Sequence, residues 1–202
     1  MPDLLQTPIF KLKPSIPNPE ELPGILRLRW GRQGQVFLDT YYTRLDQALA
    51  LWGTVTAVIF FTAQFSHLSW TVQALVWSTL TLVAIPITFL LTWCWATVRQ
   101  FRWVIYSWSL LILLGICLTD YGIFRGSPII LMNLCSGWLG LCALVYWLTG
   151  VRMKSRALML VGLVHLFAIP LLALMPAWQF FLTGMVMAGS LWVLAIWQWE
   201  HQ

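Results

Sequence analysis

The sequence predicts an all-α integral membrane protein, a bundle of six transmembrane helices behind a short cytoplasmic N-terminal tail. Three observations carry that reading. The 202-residue chain is 59% hydrophobic and only 9% charged, where a soluble domain carries roughly 25% charged residues. Its apolar residues gather into six long runs. Eleven of its twelve Lys and Arg residues lie in the tail and in two of the connecting loops.

A mean hydropathy of +0.77 suits lipid, because apolar side chains then face outward as well as inward. The net charge of +5 is accordingly read as a topology signal, and no nucleic-acid partner is expected. Cys94, Cys117, Cys135 and Cys142 all fall inside apolar runs without a CxxC pair. That pattern fits packing residues better than a disulfide framework or a metal site.

Residues 1–46 form the polar tail. Pro14, Pro17, Pro19 and Pro23 each interrupt any helix there. The first thirty residues lack a continuous apolar core, so a retained N-terminus without a cleavable signal is expected. Beyond Pro23, Ile25–Trp30 alternates apolar and basic residues, Gly31 to Gly34 supplies a turn, and Gln35–Tyr42 follows. That spacing suggests a short β-hairpin, or an extended segment lying on the membrane surface. Arg27, Arg29, Trp30 and Arg32 are its expected contact residues, toward anionic headgroups or a partner protein.

The first expected span covers 47–65, and Ser66–Ser69 turns the chain into the second, 70–95. That second span exceeds what a bilayer needs and carries Pro86, a kink point. The third covers 103–119 and is closed by a loop holding Asp120 and Arg125. The remaining three cover 129–148, 157–175 and 178–198, and together the six make a transmembrane domain over 47–199.

Counting Lys and Arg, the tail holds six, the second loop two and the fourth loop three. The first and fifth loops hold none, and the third holds Arg125 alone. The positive-inside rule then places both termini in the cytoplasm. The plasma (inner) membrane is the expected location, with an internal membrane as the alternative. Many of the fourteen tryptophans sit near span ends, as an aromatic belt would. Trp108, Trp138 and Trp192 lie deeper, where helix packing or a flat cofactor would account for them.

No HExxH, GxSxG or Walker sequence is present, and Asp120 is the only acidic residue between Gln47 and Trp199. A lone carboxylate cannot run two-group acid–base chemistry, so a non-enzymatic protein is expected and no catalytic or metal-ligating set is named. Asp120 reads as a loop carboxylate near Arg125, or else as part of a proton or cation path. His165 is the one ionisable residue near the bilayer midplane, which marks it as a functional candidate. Three roles compete for it: a hydrogen bond across to Thr79, Thr81 or Thr88, a place on a substrate path, and axial ligation of a tetrapyrrole. No other cofactor is expected.

The second and fifth spans both contain Ala-Ile-Pro, at Pro86 and Pro170, offset by 84 residues. Matching Pro-interrupted helices in inverted halves point to a transport site. The leading expectation is nevertheless an accessory or assembly factor for other membrane components, whose partners are the lipid bilayer and other membrane proteins. The alternatives are a small-solute carrier or channel built on Pro86 and Pro170, with Thr81, Asp120 and His165 beside its path, and a tetrapyrrole-binding membrane protein.

Overall fold

A computed structural model describes residues 8–11, 13, 26–32 and 35–199, with the backbone alone for 27–32, 35–40 and 198. Arg27, Arg29, Trp30 and Arg32 therefore have placed backbones, while their side chains lie outside the described part. In chain order the elements are β1 (Phe10–Lys11), β2 (Leu26–Arg32), β3 (Gln35–Tyr42), α1 (Arg44–Phe65), α2 (Trp70–Val98) and α3 (Arg102–Arg125). Then come α4 (Pro128–Met132), α5 (Leu134–Met153), α6 (Arg156–Leu174), a 3₁₀ turn (Pro176–Trp178), α7 (Gln179–Ile196) and β4 (Gln198–Trp199).

Among the described residues, six helices are long and apolar enough to cross a membrane, counting the 3₁₀ turn with α7. The chain is thus a multi-pass helical membrane protein. Its outer surface agrees: Leu110 and Phe167, well inside their helices, are 70% and 68% exposed. A protein that buries its apolar side chains from water would not leave these bare, whereas lipid takes them up.

Polar side chains set several helix limits. Thr43 and Asp46 form a reciprocal capping box that starts α1, and the Ser69 hydroxyl caps α2 by accepting from the Val72 amide. Lys154 ends α5 in the left-handed conformation, at φ 54°, and the amide of Ser155 returns to the Gly150 carbonyl at 2.8 Å. Several limits differ from the sequence reading: α1 begins at Arg44, inside the expected tail, α2 runs on to Val98, and α7 ends at Ile196 with Gln198–Trp199 in β4. Helix α3 runs through Asp120 to Arg125, so both residues are helical and not in a loop. The fourth apolar run splits into α4 and α5 at Asn133, and α5 continues to Met153.

Helix α1 packs on α2 and α7, α2 on α3, α3 on α5, α5 on α6 and α6 on α7, so the helices close a ring. The most extensive seams are α1 with α7 and α5 with α6. Glycine permits both. A Cβ at Gly184 would lie 2.7 Å from the Phe60 Cβ, and one at Gly162 would lie 3.1 Å from the Ala143 carbonyl oxygen. Strands β2 and β3 pair antiparallel from Leu26↔Tyr42 to Arg32↔Gln35, with an irregularity at Trp30/Gly31. Strand β1 pairs with β4, Phe10 opposite Trp199, which brings the N-terminal segment to the C-terminal end of the bundle.

Candidate functional site

The ring surrounds a partly open cavity of about 220 Å³. Its lining reaches from Leu45 and Leu49 at one end of α1 to Phe60 and Ala63 at the other. Eighteen residues of helix are about 27 Å, so the space is a slot running through most of the bundle. At the Phe65 end sit the rings of Phe61, Phe65, Trp178 and Phe181, with edge contacts of 5.6 to 6.2 Å. At the other end β4 contributes Trp199 to the lining.

Most of the wall is apolar or aromatic. Its polar groups are largely satisfied within the wall, as a low-dielectric setting requires. The hydroxyls of Thr88, Thr92 and Thr119 each donate to the carbonyl four residues back, at 2.7 to 2.8 Å. Indoles then use two of these hydroxyls as acceptors across helices. Trp52 Nε1 donates to Thr88 at 2.8 Å, and Trp138 Nε1 to Thr119 at 3.1 Å. A third clasp, Trp77 to Thr62 at 3.1 Å, joins α2 to α1.

The deeper tryptophans serve packing. Trp138 lies over Gly115, where a Cβ would come within 2.5 Å of its ring, and Trp192 covers Gly53 at 2.6 Å. Trp108 meets Tyr146 edge-on, with centroids 4.7 Å apart.

His165, 1% exposed, lies on α6 and lines the cavity. Its Nδ1 is 2.9 Å from the Val161 carbonyl oxygen of its own helix. A carbonyl only accepts, so Nδ1 carries the proton and Nε2 presents a lone pair in the neutral ring. Nε2 has no hydrogen-bond partner among the described residues. The hydrogen bond expected toward Thr79, Thr81 or Thr88 is absent: Thr79 bonds to Leu75 and Thr88 to Ala84 within α2. Thr81 is buried and shares the cavity wall.

Asp120 also lines the cavity, and its Oδ2 accepts from the Ser78 hydroxyl of α2 at 2.8 Å. It forms no ion pair with Arg125, which follows it by more than a turn on the same helix. The reading of Asp120 as a solvated loop carboxylate is therefore corrected. A neighbouring helix supplies the donor that a loop would have taken from water.

Pro86 and Pro170 are exposed on the outward side of their helices, and neither lines the cavity. Their preceding-turn residues, Leu82 and Leu166, are exposed as well. The structure thus brings His165, Thr81 and Asp120 to one cavity and leaves both prolines outside it. Gly53 and Gly137, which the 84-residue offset superposes, also differ: the first holds Trp192, the second meets nothing within 4 Å.

Ser78, Tyr146, Thr149 and Trp199 complete the wall beside the predicted residues. Nothing local in the sequence separates Thr149 from the many other span threonines. A lone-pair Nε2 opposite a backbone-bonded Nδ1 suits metal ligation, but the volume opposes a tetrapyrrole. The slot is only about half again the ~150 Å³ of a cavity that admits one benzene, and a four-ring macrocycle needs far more. Compared with known proteins, the chain matches no family model, no curated protein and no solved structure.

Proposed function

We propose that this chain is a six-span, non-enzymatic membrane protein that holds a small, slender, mainly apolar molecule inside its helix ring. The observation that carries the reading is the cavity itself: about 220 Å³ of mostly apolar wall extending along the helices. Cores close-pack by default, so a retained slot of this size is a feature of use. Apolar walls with a few placed polar groups are the usual make-up of a small-molecule site. The polar residues singled out from the sequence, His165, Thr81 and Asp120, fall on this wall.

The distribution of Lys and Arg supports cytoplasmic termini, and the plasma (inner) membrane is the proposed location. An impermeant maleimide applied to intact cells tests the orientation on a background with the four native cysteines replaced. His67→Cys labels and Val98→Cys does not; the reverse pattern overturns the orientation. For the ligand, solvent extraction of the purified protein followed by mass spectrometry returns one small apolar species near one copy per chain. Recovery of bulk lipid alone, in the proportions of the surrounding bilayer, overturns the binding reading.

A second reading, an accessory or assembly factor for other membrane components, rests on the β2–β3 hairpin, which directly precedes α1. A paired ribbon beside a bilayer is a ready contact surface for another membrane protein. Deleting residues 26–42 removes co-purifying membrane proteins on this reading. An unchanged set of partners overturns it.

A further inference from the structure

The Leu45 end of the slot is covered by a residue that does not belong to any span, and this bears on how a guest reaches the cavity; the inference rests on the binding reading above. Every described lining residue but one lies on α1, α2, α3, α5, α6 or α7, and the exception is Trp199 of β4. Helix α7 stops at Ile196, and Trp197 is extended, at φ −98° and ψ 144°. The chain leaves the helix there, and Trp199 comes to lie 5% exposed against the cavity. At this end the wall is completed by Leu45, Trp95, Val104, Met153 and Leu158, which share one apolar cluster with Trp199.

No helix holds Trp199 in place. Its backbone partner is β1, with Phe10 opposite Trp199 and Lys11 opposite Gln198. Ile9 and Phe10 pack on the same apolar cluster. So short a ladder is marginal by itself, and Lys13 supplies the anchor. Its ammonium reaches the Asp46 carboxylate on α1 and, at 2.7 Å, the Ala195 carbonyl on α7.

That anchor is a buried ion pair. Removing both charges from water costs about as much as their attraction returns, and a switch between arrangements is among the best-attested uses of such pairs. The opposite end is built differently. Gln64 of α1 donates to the Ala177 carbonyl at 3.0 Å and accepts from the Phe181 amide at 3.2 Å, beside the aromatic rings. The spans therefore close that end themselves. The Leu45 end is covered by segments that can lift with every span in place.

We infer that Trp199 is a stopper, that residues 9–11 and Lys13 strap it down, and that the guest enters and leaves at the Leu45 end when the strap lifts. Exchange then follows the population of the open form, as in other local openings.

The test uses the full chain in lipid nanodiscs with its four native cysteines replaced by alanine. Fluorobenzene, close in size to a guest that a ~150 Å³ apolar cavity admits, is the probe. Fluorine NMR gives a protein-bound resonance and its exchange rate with the lipid pool. Lys11→Cys with Gln198→Cys joins a cross-strand pair by a disulfide, so one protein is compared strapped and released. The oxidised form exchanges about tenfold more slowly than its reduced form, equivalent to about 1.4 kcal/mol of added closure. Trp199→Ala exchanges faster than the parent. Where the disulfide does not form, Trp199→Ala decides alone. Equal rates in the oxidised and reduced forms, or a Trp199→Ala rate equal to the parent's, overturn the stopper and leave the cavity reading standing, with the guest passing between spans. A bound resonance missing from every form, Trp199→Ala included, overturns both.

Discussion

The Lys13 ammonium is paired with the Asp46 carboxylate where both side chains are nearly removed from solvent, at 7% and 0% exposure. The same ammonium donates to the Ala195 carbonyl at 2.7 Å and lies 4.7 Å from the centre of the Tyr42 ring. Asp46 in turn accepts from the Thr43 amide and hydroxyl at 2.8 and 2.9 Å. One carboxylate thus starts α1 and ties the N-terminal segment to the far end of α7, beside the β1–β4 pair. Asp46→Asn removes the Asp46 charge from beside a buried ammonium, a change worth about 3 kcal/mol or more. Lys13→Met combined with Asp46→Asn recovers part of that loss, because the buried ammonium is removed together with the carboxylate. Reversible unfolding in detergent of the parent, Asp46→Asn, Lys13→Met and the double variant, compared as a cycle, measures both effects.

Close helix seams predict opposite outcomes for two glycine substitutions. Gly184→Ala drives a methyl to 2.7 Å from the Phe60 Cβ, and that atom cannot swing away as a chain end does. Overpacking of this kind destabilises by about 1–3 kcal/mol. Gly137→Ala meets nothing within 4 Å and gains helix propensity of up to about 1 kcal/mol. Melting temperatures of the two variants therefore move in opposite directions from the parent. A Gly184→Ala protein as stable as Gly137→Ala would contradict the α1–α7 seam.

The membrane helices were legible because their signal is local: long apolar runs bounded by polar turns, with Ser69 as a ready cap. Reading failed where tertiary partners override local polarity. Asp120 and Arg125 look like loop residues, yet Ser78 on α2 gives Asp120 a donor, and α3 runs on through both. Asn133 falls inside an apolar run, and its side chain donates to the Ile129 carbonyl at 2.9 Å where α4 passes into α5. At the site, His165 stood out as a lone midplane ionisable residue. Its helix-bonded Nδ1 and the free hydroxyl of Thr149 are matters of geometry that no spacing reveals. The Lys13 contact with Ala195 spans 182 positions, and no local pattern marks it.

Asp120 makes a direct prediction for the α2–α3 seam. Ser78→Ala removes the side-chain donor to its carboxylate, and hydrogen bonds to charged groups contribute about 1.5–3 kcal/mol. Asp120→Asn keeps an acceptor oxygen for the Ser78 hydroxyl and loses less. The ordering in unfolding free energy is parent, then Asp120→Asn, then Ser78→Ala. If Ser78→Ala leaves stability untouched, the contact contributes nothing in lipid.

Filling the slot separates stability from binding. Ser109 lies on α3 midway between Ile105 and the deeper Ile112 and Ile116, all on the cavity wall. Ser109→Leu places several extra carbons into space that the protein itself does not fill. Cavity volume is worth about 24 cal/mol per Å³, so occupying some 60 to 80 Å³ stabilises the ligand-free protein by about 1–2 kcal/mol. The same side chain takes room from any apolar guest. Ser109→Leu is therefore expected to melt higher than the parent once lipid-extracted, while retaining less of whatever small apolar species the parent carries. A variant that loses stability would show that the wall at Ser109 is already packed, and one that retains the full guest would place the guest elsewhere in the slot.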